Sequence, residues 1–290
     1  MKIKYLFLVL LLAASSALQA KVPLQVKKSV AFIFAKDSSK QLIPQGTGFF
    51  ILMKDNQNTD TTNFGYLVTT RTALRKQNGS FFDSIYVRIN RKDGYCDTIT
   101  IPLVQNGVPR YFLHPDSAVN LAMVPAFPDG NRYDFLFTPV GMIAPIDFFK
   151  TEDITEGNEL FYTGMSDAHI GMFKNIPVVR FGKIAQLSEE KYVTENGYTE
   201  LYLAEIALST GGNGSPVYYY DEAVKNGEKT IVPAKLLLAG IISGNYGKEK
   251  QGSNLVGVVP AYKLTELLTI PAVVKEREKE FVRIQNARKK

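Results

Sequence analysis

The run Leu208-Ser209-Thr210-Gly211-Gly212-Asn213-Gly214-Ser215-Pro216-Val217 constrains this chain more than any other stretch. Three glycines within four residues permit left-handed or otherwise strained backbone angles, so two N–H groups can point into one small space. An apolar strand is predicted before the run, Leu201 to Ala207, and a Tyr-rich one after it, Val217 to Tyr220, so the loop is held at both ends. Taken alone, such a run is most often an ordinary hairpin turn. Its meaning depends on what the rest of the chain brings to it.

Lys2 and Lys4 precede an apolar run from Tyr5 to Ala14, and small residues suited to cleavage follow at Ala17 and Ala20. This pattern reads as a secretory signal peptide over 1–20, because about ten apolar residues fall short of the roughly 20 that cross a bilayer. The mature chain is expected to be exported, to the periplasm or beyond the cell, with no transmembrane segment left. Removing the leader lowers the formal charge of +6 by two. Much of the remaining excess lies in the tail, where Lys275, Arg277, Lys279 and Arg283 alternate with Glu276, Glu278 and Glu280. That interleaving reads as a solvated helix face, and without an aromatic and basic strip no nucleic-acid partner is expected. Cys96 is the only cysteine, so no internal disulfide can form and stability must come from burial.

Short apolar strands separated by turn signals recur from Lys27 to Pro260, which predicts an all-β fold in barrels or sandwiches. Pro139 and Pro145 bracket a stretch without strand periodicity near the middle of the mature chain. The expected division is a first β-barrel over 21–140, a connection over 141–154, and a second barrel with a closing helix over 155–270. In the second half, strands are predicted at Glu159 to Thr163, Val178 to Leu187, Leu201 to Ala207, Val217 to Tyr220, Ala234 to Ile242 and Asn254 to Val259. The helix starts after Pro260, with Leu264, Leu267 and Leu268 on its apolar side. Pro271 breaks it, and 271–290 reads as a charged helical tail whose partial stripe of Val273, Val274, Phe281 and Ile284 leaves docking or looseness open.

Three segments in order carry a resemblance. Gly46-Thr47-Gly48-Phe49-Phe50-Ile51 is followed by Val68-Thr69-Thr70-Arg71-Thr72-Ala73-Leu74; His114-Pro115 is followed by Asn120-Leu121-Ala122; then comes Gly211-Gly212-Asn213-Gly214-Ser215-Pro216. Together they resemble the trypsin/chymotrypsin-like serine peptidases, in the disulfide-poor bacterial branch, over roughly Val26 to Leu268. The closing strands Ala239 to Gly244 and Asn254 to Ala261 resemble that family as well. The resemblance implies two six-stranded antiparallel Greek-key barrels. It places Thr72 at the general-base histidine, Asn120 at the orienting aspartate and Asn213 at the nucleophile. Spacings of 48 and 93 residues between these positions suit two barrels sharing one site.

The chemistry of that family needs an imidazole that takes a serine proton near neutral pH and returns it to the leaving amine. A threonine hydroxyl has no such basicity, an asparagine amide forms no acyl-enzyme, and neither carries charge. Losing the triad costs on the order of 10⁶-fold in turnover. His114 and His169 are the only histidines and are read as surface or hydrogen-bonded residues. Two distant histidines and one cysteine make no zinc site, and no cofactor fingerprint is present, so no metal or cofactor is expected.

By the resemblance, the backbone N–H groups of Gly211 and Asn213 would form an oxyanion hole, and Ser243-Gly244-Asn245 the strand edge that pairs an extended peptide. The function expected is therefore an exported pseudopeptidase that binds a protein or peptide. A hydrolase with a non-standard nucleophile and base, and a structural part of an envelope complex, are the alternatives.

Overall fold

The computed structural model describes residues 22–55, 62–194, 196–221, 224–226, 229–232, 234–247 and 254–288; the expected leader lies outside them. Strands β1 (Val30–Lys36), β2 (Leu42–Asp55), β3 (Thr62–Thr69), β4 (Ser84–Asn90) and β5 (Cys96–Pro102) open the chain. Short pieces follow: β6 (Val104–Gln105), β7 (Val108–Pro109), β8 (Phe112–Leu113), β9 (Ala122–Pro125) and β10 (Thr138–Pro139). Eight of these ten strands form one sheet ordered β5-β4-β1-β2-β3-β9-β8, with β10 alongside β2 in parallel.

The period of two explains why residues 30–35, 49–51 and 66–68 are apolar without interruption. Successive side chains point to opposite faces of a sheet. Here Ala31, Ile33, Phe50 and Leu67 face a core with Ile85, Val87 and Ile89, whereas Val30, Phe49, Ile51 and Val68 face the larger core shared with the second half. Both faces are covered, so both sets of positions are apolar. Fully burying side chains such as Phe49 and Phe50 contributes roughly 1.5–3 kcal/mol each.

In the second half, β11 (Glu159–Gly164) and β12 (Val178–Gln186) are followed by the hairpin of β13 (Tyr192–Thr194) and β14 (Gly197–Thr199). Then come β15 (Tyr202–Glu205), β16 (Pro216–Asp221), the small pair β17 (Val224–Asn226) and β18 (Lys229–Val232), β19 (Lys235–Asn245) and β20 (Leu255–Pro260). Six of them close into a barrel, β11-β12-β15-β20-β19-β16. These six overlap the six strands expected from the sequence. Between the halves, the connection holds a single turn of helix, Phe148–Thr151, whose Phe148 is buried.

Tyr218 is fully buried where the halves meet, with its hydroxyl 3.3 Å from Ser29 Oγ and 3.2 Å from Thr138 Oγ1. The helix Tyr262–Thr269 buries Leu264, Leu267 and Leu268. The next helix, Pro271–Arg288, starts on a proline, which suits the first turn because its missing N–H would have no partner there. Docking, one of the two options open for the tail, is what is seen. Val273 is buried, Arg277 donates from Nη1 to the Leu268 carbonyl at 2.9 Å, and Arg110 pairs with Glu276 at 3.2 Å. A cation against the carbonyl end of the preceding helix also meets the negative end of its dipole.

Candidate functional site

The short 3-10 turn Thr72–Leu74 follows β3, and Ala73 and Leu74 anchor it in the core while Thr72 stays exposed. Asn120 precedes β9 and is half-buried. Its Oδ1 accepts from the Thr72 N–H at 3.1 Å, and its Nδ2 donates to the Ser243 carbonyl at 3.2 Å. Nδ2 also lies 3.2 Å from Ser243 Oγ and 3.3 Å from Thr72 Oγ1. A backbone N–H can only donate and a carbonyl can only accept, so these two partners fix the orientation of the amide. A carboxylate could serve the first partner but not the second.

Ser243 reaches Asn120 because β19 is bulged there: the pairing with β20 shifts register between Ile242 and Gly244. Such a bulge re-aims one side chain beside a site. Pairing with β16 ends earlier, where Pro216 faces Ile241, so Ser243, Gly244 and Asn245 extend past β16 while β20 holds their other side.

The glycine loop has a defined internal bonding scheme. Gly212, Gly214 and Ser215 donate to the carbonyls of Ser209, Ile242 and Gly212 at 2.8, 2.8 and 3.1 Å. Among the described residues, the N–H groups of Gly211 and Asn213 have no acceptor. Gly211 is left-handed at φ +87, and a Cβ there would lie 2.6 Å from Met165 Cε, so glycine is required on both counts.

Thr47, expected from the sequence only as part of a strand, fastens this loop from the first half. Its N–H donates to the Asn213 carbonyl at 2.8 Å, its hydroxyl donates to the Gly211 carbonyl at 2.9 Å, and the Met165 N–H donates to that hydroxyl at 2.8 Å. Flanking glycines at 46 and 48 are the sequence signal that could have found it. A Cβ on Gly46 would lie 2.8 Å from the Asn213 carbonyl oxygen and 3.6 Å from Ala73 Cβ, while one on Gly244 would lie 3.8 Å from Asn213 Oδ1. Thr72, Asn120, Asn213 and Ser243 thus border one region where the two halves meet.

Neither histidine belongs to that group. His114 is buried, accepts the Asp116 N–H on Nδ1 at 3.2 Å and places Nε2 2.9 Å from Glu266 Oε2. An acceptor at Nδ1 puts the proton on Nε2, facing the carboxylate. His169 is exposed on a 3-10 turn. Arg71 donates to the His114 carbonyl at 2.8 Å, and burial, with Arg75 nearby, lowers its guanidinium pKa from the ordinary value. Ser215 Oγ is fully buried with no hydrogen-bond partner among the described residues, turned toward Gly164. No group of His, Cys, Asp and Glu among the described residues is arranged to hold a metal ion.

Neither a family model nor any curated protein matches the chain. Among solved structures, the apo protease domain of MamO from Magnetospirillum magneticum superposes at a TM-score of 0.53 with 16% identity, covering 85% of this chain and 99% of that one. The fold is that of a trypsin-like protease domain. A second solved structure, the HtrA-type protease AlgWS227A with decapeptide, matches at a TM-score of 0.48 and 13% identity, over 87% of this chain and 65% of that one.

Proposed function

We propose that the chain is an exported pseudopeptidase, a two-barrel trypsin-like module without catalytic chemistry that captures a protein or an extended peptide in the periplasm or outside the cell. One observation carries the reading. The orienting position holds an amide whose two ends face an obligatory donor and an obligatory acceptor, so its surroundings complement a neutral group. Thr72 supplies no base, Asn213 no nucleophile, and the His114 ring is occupied by Glu266 and the Asp116 N–H.

Binding is supported by what remains. The free N–H groups of Gly211 and Asn213 suit an oxygen of a bound main chain, and the Ser243 to Asn245 edge beyond β16 suits an added strand. Protein without residues 1–20 should turn over no member of a broad peptide library yet retain extended peptides in a fluorescence-polarisation assay. Cleavage that disappears in Asn213→Ala would overturn the reading. So would peptide retention unchanged when Gly244 is replaced by a bulky residue.

A further inference from the structure

The loop between β11 and β12 presents apolar side chains to solvent on a backbone that is held firmly. Met172 is 85% exposed and Phe173 63%, with Ile176 at 43% and Tyr95, from the neighbouring hairpin, at 56%. The Tyr95 and Phe173 rings meet edge to face at 6.0 Å. Single exposed apolar residues need no explanation, but four adjoining ones do.

The loop is not merely draped over the surface. Arg88, buried on β4, donates to the carbonyls of Ile170, Gly171 and Met172 at 3.2, 2.8 and 3.1 Å. Asn175, also buried, donates its N–H to Asn90 Oδ1 at 2.7 Å and its side-chain amide to the Arg88 carbonyl at 2.7 Å, while Asn90 returns a bond to the Asn175 carbonyl at 3.1 Å. A buried guanidinium committed to loop carbonyls fixes the shape that holds Met172 and Phe173 outward, so their ordering entropy is met before anything binds.

Charge and area identify the occupant. Exposed Lys92 and Lys174 flank the tip, and neither is in an ion pair among the described residues. The nearby carboxylates Asp93 and Asp97 are taken by Arg91 and Arg132; Asp167 stands at the loop's root. The four side chains offer about 500 Å² between them, from a full area of 150–250 Å² each, short of the ~800 Å² per partner of a stable protein interface. A lipid surface needs no matching area: it accepts a few protruding apolar groups and rewards lysines beside them.

We propose that this tip docks the protein on an anionic membrane surface, with Met172 and Phe173 entering the headgroup boundary and Lys92 and Lys174 facing lipid phosphates. The purified protein should co-sediment with vesicles of mixed phosphatidylglycerol and phosphatidylcholine, and far less with phosphatidylcholine alone or at high salt. Joint Met172→Ser and Phe173→Ser substitution should lower partitioning by about a hundredfold, and joint Lys92→Glu and Lys174→Glu by about tenfold or more. All four positions are exposed, so the variants should stay folded, with melting shifted by no more than a few degrees for the lost Tyr95–Phe173 edge contact. Wild-type protein that ignores both vesicle types, or apolar variants that bind as wild type, would overturn the proposal. Self-association abolished by the apolar variants, without vesicle binding, would reassign the tip to a second copy of the chain.

Discussion

Asn120→Asp installs the carboxylate that the resemblance to trypsin-like peptidases leads one to expect at this position, and the structure predicts that it weakens the protein. The carboxylate keeps the Thr72 N–H bond at 3.1 Å but sets an oxygen against the Ser243 carbonyl oxygen at 3.2 Å, where Nδ2 now donates. Turning a buried donor–acceptor pair into two acceptors costs about 1–3 kcal/mol. Asn120 is half-buried, and the Thr72 and Ser243 hydroxyls can rotate to donate, so the net loss should be about 1 kcal/mol near neutral pH. For a domain of this size that is a melting shift of about 2–4 °C. The facing carbonyl disfavours the charged form, so the folded carboxyl titrates above its unfolded value. The penalty is then full above the folded pKa and disappears as pH falls below the unfolded one, bringing the variant back toward wild type in acid. Urea unfolding followed by circular dichroism at neutral and acid pH measures both effects. A variant as stable as wild type at neutral pH, or one that loses further ground in acid, refutes the donor–acceptor assignment.

Ser215→Ala should be neutral or stabilising by up to about 1 kcal/mol, because Oγ is fully buried with no partner among the described residues; Gly164→Ala should cost about 3 kcal/mol, since its Cβ would lie 1.9 Å from that oxygen. Chemical denaturation of the two single variants and the double variant should show partial rescue. Arg277→Gln removes the charged donor at the Leu268 carbonyl and should loosen the terminal helix, costing about 2 kcal/mol and exposing 271–288 to limited proteolysis.

The segments that revealed the fold are those where covalent pattern and packing coincide. Gly46 to Ile51, the strand ending at Thr69 and the 211–216 loop are dictated by glycine geometry and by sheet faces buried on both sides, which a sequence displays directly. Thr72 and Asn120 were legible as residue types out of place; their mutual hydrogen bonds were not, because those join positions 48 residues apart, and the third partner, Ser243, is aimed by a bulge that no local pattern announces. Docking of the terminal helix was equally hidden. It rests on buried Val273, on the Arg110–Glu276 pair and on Arg277 reaching back nine residues to a carbonyl, in a segment whose alternating charges read as solvated. The partner of His114, Glu266, lies 152 residues away, and only the folded chain joins them.

The meeting of Thr72, Asn120 and Ser243 has one more consequence. Every group in that trio keeps its protonation state across the range in which living compartments vary, so a guest in the crevice feels no change in the wall when its surroundings sour. A working peptidase of this shape is switched by acid through its imidazole. For the peptide capture proposed above, this wall therefore supplies no acid switch between mildly acidic and mildly basic medium.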